Sequence, residues 1–299
     1  MGQTPTFATP PGFLGKPFTL GETKAKVGVA GIPLDLGTTN RGGARSGPAA
    51  IRQASRMLVD GEDPVRWRDI CALPFADLGD FAIALGDIPA SLALIEAQAA
   101  TIEHLVALGG DHGITLALLR ALVKKRGGPV GLIHFDAHVD TWPDCFGQPY
   151  GHGSVFYHAI REGLVDPKRM IQIGIRSPVQ KEVWDWTLDQ GVTILSAEQV
   201  HEAGVAATLE RIRTVVGEAP TYLSFDIDAL DPAFAPGTGT PEIGGLASWQ
   251  VTSLLRRLDF VNFVGADVVE VLPAHDHAEI TALAAATIAW IYLGLIEVS

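Results

Sequence analysis

The chain reads as a single α/β domain built on a mainly parallel sheet, and three observations predict it. Short β-branched apolar runs alternate with helical stretches along the whole length. No Pro/Ser-rich linker, charge block or composition shift divides the 299 residues. Hydrophobic residues at 47% supply one large core.

The strands are expected at Lys26–Ile32, Phe75–Leu78, His104–Leu108, Val130–Phe135, Met170–Ile175, Val192–Leu195, Thr221–Phe225 and Val264–Val271. Between them lie helical stretches such as Pro48–Leu58, Ile114–Lys125 and Val205–Val216. Strands that alternate with helices place helices on both faces of the sheet. After the first strand, Gly37–Pro48 is a Gly-rich loop without the spacing of a phosphate-binding fingerprint, so a nucleotide site carries little weight. Ile280–Ile296 has seventeen residues without a charge. Its Ala, Thr and Gly content and the flanking Glu279 and Glu297 favour a helix buried in a soluble core over a membrane span.

Charge and cysteine content exclude several classes. A net charge of −12 argues against nucleic acid or an anionic membrane surface as partner and leaves a small, cationic one. Only Cys71 and Cys145 are present, so no disulfide framework is expected and a reducing, cytoplasmic setting fits. The start, Met1–Phe7, has no basic or apolar region of a signal peptide.

The chemistry lies in three separated clusters: Gly110-Asp111-His112-Gly113, Asp136-Ala137-His138-Val139-Asp140 and Asp226-Ile227-Asp228. Side chains two apart in an extended segment point the same way, so Asp136, His138 and Asp140 can share a face, as can Asp226 and Asp228. The second and third clusters follow apolar runs and so emerge at the carboxyl ends of buried strands, where open α/β sheets bind ligands. An isolated Asp-x-Asp is more often a turn or capping acid. Three ionisable groups on one strand end, however, cost several kcal/mol if desolvated without a partner, and a cation is the ordinary remedy. Leaving Asp111 aside, four carboxylates and two imidazoles are about what a bridged pair of ions requires.

Together with these clusters, Gly109-Gly-Asp-His112, Gly151-His-Gly153, Ser224–Pro232, Pro236–Glu242 and Val268-Val-Glu-Val271 resemble, in order, the motifs of the ureohydrolases, the arginase and agmatinase family. The resemblance runs from about Gly31 to the C-terminal helix. It implies an arginase-like three-layer fold with an eight-stranded mainly parallel sheet, an N-terminal arm over residues 1–25 and a catalytic domain over 26–299. It also implies a trimer or hexamer, a pair of manganese ions, and hydrolysis of a guanidino C–N bond to urea and an amine by a metal-activated water. By motif, His112, Asp136, His138, Asp140, Asp226 and Asp228 take the ligand positions. Manganese suits mostly oxygen ligands; nickel is the alternative, because imidazole favours it.

Charge supports the same chemistry. Two divalent ions, four Asp ligands and a bridging hydroxide sum to about minus one, a site that welcomes a cation such as a guanidinium. Glu270 matches the family's guanidinium-pairing acid, in an apolar run where an unpaired carboxylate is costly. His152 matches its proton carrier. Asp140 would have a double role, ligating metal and accepting the proton from the bridging hydroxide before passing it to the leaving nitrogen. His134 reads as a packed core histidine, and Asp111 and Asp231 as acids that shape turns or orient ligands.

Departures from the family pattern blur the substrate. His152 is followed by Gly-Ser-Val-Phe-Tyr-His158 where a Thr and an Arg pair are common, and Leu246–Gln250 stands where agmatinase-like chains often carry Thr-x-Arg-Glu. The loop Thr141–Tyr150 carries Trp142, Asp144, Phe146 and Tyr150 and no basic residue. Agmatine is the first expectation, with guanidino acids, guanidine, alkylated guanidines and biguanides open. Two readings of other classes are a non-catalytic subunit that retains the fold and a single-metal deacetylase on a related scaffold. Six intact ligand positions, with His152 and Glu270, argue against both.

Overall fold

Eight strands form one sheet, all parallel: β1 (Val27–Ile32), β2 (Phe75–Asp80), β3 (His104–Gly109), β4 (Val130–Phe135), β5 (Val165–Ile175), β6 (Thr193–Ser196), β7 (Thr221–Asp226) and β8 (Phe263–Val269). Their order is β2-β1-β3-β8-β7-β4-β5-β6. The computed structural model describes residues 8–21 and 23–296; Met1–Phe7, read above for a signal peptide, and Glu297 lie outside them.

Strands β1, β4 and β7 are buried along their whole length, which is why they read as continuous apolar runs. Successive side chains serve opposite faces. Ile133 and Phe135 enter a core closed by α1 (Gly47–Ser55), α6 (Ala197–Val216), α7 (Ser248–Leu255) and α8 (Ile280–Leu295). Leu132 enters a second core under α2 (Ile88–Ala99), α3 (Ile114–Arg126) and α4 (Val155–Arg161). A short helix, α5 (Lys181–Asp189), precedes β6. These are the expected three layers. No helix among the described residues is long and apolar enough to cross a membrane, and α8 packs its uncharged length into the first core.

Of the boundaries that differ from expectation, three have a clear local reason. β5 starts at Val165, not Met170, because pairing jumps from Val130↔Val165 to Leu132↔Met170, leaving the polar, Pro-containing stretch as a bulge. α6 starts at Ala197, where Ser196 and Gln199 form a reciprocal cap. Gly204 then interrupts it at φ 73°, ψ 174°, so the expected start at Val205 marks the second segment. β8 stops at Val269, because Glu270 takes a left-handed φ of 64° and donates its N–H to Gly110 O at 3.0 Å.

The N-terminal residues are tied into the domain. Phe13 and Leu14 are buried, and their N–H groups donate to Asp77 Oδ2 (2.6 Å) and Ser55 Oγ (2.8 Å). Asp77 is fully buried and answered by Arg52, whose Nε and Nη2 donate to its two oxygens at 2.9 and 3.0 Å while Nη1 reaches Asp80. Removing Arg52 leaves Asp77 unpaired in the core. Arg52→Ala is therefore expected to cost about 3–5 kcal/mol. Arg120→Ala, at the exposed pair with Glu162, should cost less than about 1 kcal/mol. Chemical denaturation of both variants checks this, and equal losses would refute the buried anchor.

Candidate metal centre and active site

The four central strands β3, β8, β7 and β4 are neighbours, and all of the expected site residues except His152 follow their carboxyl ends. His112 lies between β3 and α3, Glu270 ends β8, Asp226 and Asp228 end β7 and open a 3-10 turn, and Asp136, His138 and Asp140 follow β4. His152 opens the 3-10 turn before α4. The crossover from β3 to β4 leaves the places that β8 and β7 fill, so distant segments meet at one sheet edge.

His112 is fully buried. Its Nδ1 makes no hydrogen bond, although carboxylate oxygens of Asp140, Asp136 and Asp226 lie 2.9, 3.3 and 3.4 Å away. Behind the ring, Nε2 lies 2.9 Å from Ser224 Oγ, which donates to Asp267 at 2.7 Å. That hydroxyl has spent its proton, so Nε2 carries the ring proton of the neutral imidazole and Nδ1 is the nitrogen turned toward three carboxylates. Such an arrangement is repulsive without a cation between.

A second group lies alongside. His138 Nδ1 is 3.1 Å from Asp136 Oδ1 and 3.2 Å from Asp228 Oδ2. Asp136 belongs to both groups able to hold an ion, one with His112 and Asp140, the other with His138 and Asp228. Distance alone also places His134 in the first group. The hydrogen bonds argue otherwise. Gln172 Nε2 donates to Val139 O (2.6 Å) and to His134 Nδ1 (3.1 Å), so His134 Nε2–H is turned to Asp136 Oδ2 at 2.8 Å. His134 thus does more than fill the core: it orients Asp136.

No Lys or Arg pairs with Asp136, Asp140, Asp226 or Asp228 among the described residues; their ionic partners are histidines. Burial works against charge throughout, yet the surrounding carboxylates hold His112 well above the imidazole range and push His138 up to about 12. Burial and the charges of Asp228 and Asp136 push Asp226 well above the carboxylate range. A cation bound among these groups would take the place of such protons.

His152 Nδ1 lies 3.1 Å from Glu270 Oε1, which also accepts His112 N–H at 2.8 Å. Glu270 Oε2 is buried without a partner. Above these groups opens a cavity of about 470 Å³ lined by His138, Asp140, Trp142, Asp144, Phe146 and Gln180 among others, with no Lys or Arg among its described lining residues. Trp142 Nε1 donates to Gln180 at 2.6 Å, joining two cavity loops. Asp111 accepts three backbone N–H groups, from Leu36, Gly37 and Gly113, and Asp231 caps the turn at Ala233 and Gly244–Gly245.

Sequence reasoning passed over Thr39, Gln172, Ser224 and Asp267. A lone acid inside the apolar run Val264–Val269 was a usable signal for Asp267, because a carboxylate there needs donors. It has three, from Ser224, Thr115 and Tyr222.

A parallel α/β sheet whose central strand ends gather two histidine–carboxylate groups around one shared aspartate defines a binuclear metallohydrolase scaffold. Comparison narrows it. The family model described as "Arginase family" matches residues 25–294, and the chain belongs to that family, the ureohydrolases acting on C–N bonds. An agmatinase of Chromobacterium violaceum is 45% identical over 271 residues, 88% of this chain and 81% of the relative. A crystal structure of a hypothetical agmatinase from Burkholderia thailandensis superposes with TM-score 0.91 at 46% identity, covering 97% of this chain and 91% of that one. The proclavaminate amidino hydrolase of Streptomyces clavuligerus superposes with TM-score 0.92 at 39% identity, covering 98% of each.

Divalent ions bind neutral imidazole and ionised carboxylate, so loading displaces the protons held in the metal-free centre. Addition of Mn²⁺ at pH 7 is expected to release about two protons or more, with apparent affinity rising with pH. Calorimetry in two buffers of different ionisation enthalpy measures the number. No release would mean the imidazoles were already neutral.

Proposed function

We propose that the chain is an agmatinase, hydrolysing the guanidino group of agmatine to urea and a diamine. The observation that carries this reading is the pair of groups sharing Asp136 at the floor of an acid-lined cavity. In support, the relatives' names place their reactions at agmatine or an amidino group. His112, Asp136, Asp140 and Asp226 would hold one ion and Asp136, His138 and Asp228 the other, with manganese first and nickel second. When bound, the ions would supply a water of lowered pKa as the nucleophile.

The chain's own groups do the rest. A guanidinium is planar and positive, and the Oε2 of Glu270, buried without a hydrogen-bond partner, would accept one of its N–H groups. That bond holds the reacting carbon against the centre and lowers its mobility. Asp140 takes the proton from the attacking water. His152 delivers a proton to the departing nitrogen, with the Glu270 and Asp140 charges overcoming burial to push it up to about 9.

For the tail, Asp144 and the faces of Trp142 and Phe146 suit a cation. Arg41 and Arg45 belong to the Gly-rich loop after β1; Arg45 is engaged with Asp35 at 2.9 Å, and neither lines the cavity. The N-terminal arm and catalytic domain are taken as one working unit in a homo-oligomer. The two free cysteines suit a cytoplasmic setting.

His138→Ala or Asp228→Asn is expected to lose metal and turnover together, His152→Ala to keep two ions per chain and lose rate. Glu270→Gln should lower kcat/KM for every guanidino substrate by at least about ten- to a hundredfold. Elemental analysis alongside urea release separates these outcomes, and full activity with one ion per chain would sink the binuclear reading. Agmatine should exceed 4-guanidinobutyrate in kcat/KM by about tenfold or more, since the two differ chiefly in tail charge. A preference for the acid overturns the agmatine assignment while leaving the amidinohydrolase reading intact.

A further inference from the structure

The Gly-rich loop after β1 reaches across to the loop that carries His152. Gly37 O accepts His152 N–H at 3.0 Å, and a β-carbon on Gly37 would stand 3.2 Å from both Gly151 Cα and His152 N. Only glycine allows that approach without a shift of backbone. The other side of the segment is held by Asp111, which accepts Leu36 and Gly37 N–H at 2.9 and 3.0 Å, and Asn40 Nδ2 donates to Gly239 O at 3.3 Å. Thr39, so fixed, brings two groups to His152 Nε2: its N–H at 3.2 Å and its Oγ1 at 2.8 Å.

These two groups have different capacities. A backbone N–H only donates, so it needs the lone pair of a neutral Nε2, and the ring proton then sits on Nδ1 facing Glu270 Oε1. An imidazolium carries protons on both nitrogens, and its Nε2–H then needs an acceptor, for which Oγ1 is in reach. We propose that Thr39 is a positioning residue for His152 in both protonation states, its N–H holding the neutral ring and its hydroxyl accepting from the charged one. The inference rests on the reading of His152 as proton carrier. The charges bearing on that ring are those of Glu270, Asp140 and Asp111, and none of them lies on the loop of Thr39. Thr39 lines the cavity, so the shared proton sits at the edge of the space a substrate enters.

The test uses metal-loaded enzyme with agmatine. Thr39→Val keeps the N–H and removes the acceptor, so kcat should fall about three- to tenfold with KM changed less than about twofold. The limb of the kcat–pH profile that His152→Ala abolishes should move to lower pH, because the imidazolium loses a charge-assisted bond and the neutral ring keeps its donor. Thr39→Ser should restore both, and metal content should stay at the wild-type value in all three. If His152→Ala turns over agmatine at the wild-type rate, the proton-carrier reading fails. If His152→Ala is impaired while Thr39→Val shows wild-type kcat and pH profile, or if Thr39→Ser is as impaired as Thr39→Val, the positioning role alone is overturned.

Discussion

Four aspartates buried together with no Lys or Arg among the described residues to answer them are the constraint around which this molecule is organised. Asp136, Asp140, Asp226 and Asp228 are each at most 5% exposed, and histidines are their ionic partners. Gathering such charge is unfavourable by several kcal/mol unless protons or metal ions intervene. The fold makes the gathering possible by giving each segment a rigid origin, a central parallel strand whose residues are packed on both faces. Loops alone would spread the charges apart.

The surrounding polar groups serve that purpose. Ser224 and Asp267 turn His112, and Gln172 and His134 turn Asp136, so that lone pairs face inward. Backbone conformation contributes as well. Asp140 and Glu270 are left-handed, at φ 50° and 64°, in positions that a side chain enters only at a cost of roughly 1–3 kcal/mol each. At Glu270 the reversed backbone ends β8 and aims the carboxylate at the site instead of continuing into the core. Glycine would relieve the strain, and no carboxylate would then be there.

Much of this was legible in the sequence because the signals were local. Asp136, His138 and Asp140 follow the extended period and sit directly after an apolar run, so their shared face and their place at a strand end could both be read. The helix from Ile114 and the strand Val130–Phe135 matched because caps and runs coincide with their ends. What escaped depends on tertiary pairing. The bulge that extends β5 back to Val165 is a property of β4 and β5 together, and the order β3-β8-β7-β4 arises from crossovers that no short window contains. Thr39 escaped for the same reason, being 113 residues away from His152 in the chain. Glu242, at the end of the Pro236–Glu242 motif, accepts the hydroxyl of Ser177 at 3.0 Å.

Asp136 stands in both ligand groups, with one oxygen toward His138 and the other beside His112 and His134. The occupancy of one group therefore alters the charge and orientation offered to the other. By linkage, whatever the first ion does to the affinity of the second is returned in equal measure. The two groups are thus coupled sites, and a half-loaded chain would have its own proton inventory and its own orientation of the shared carboxylate.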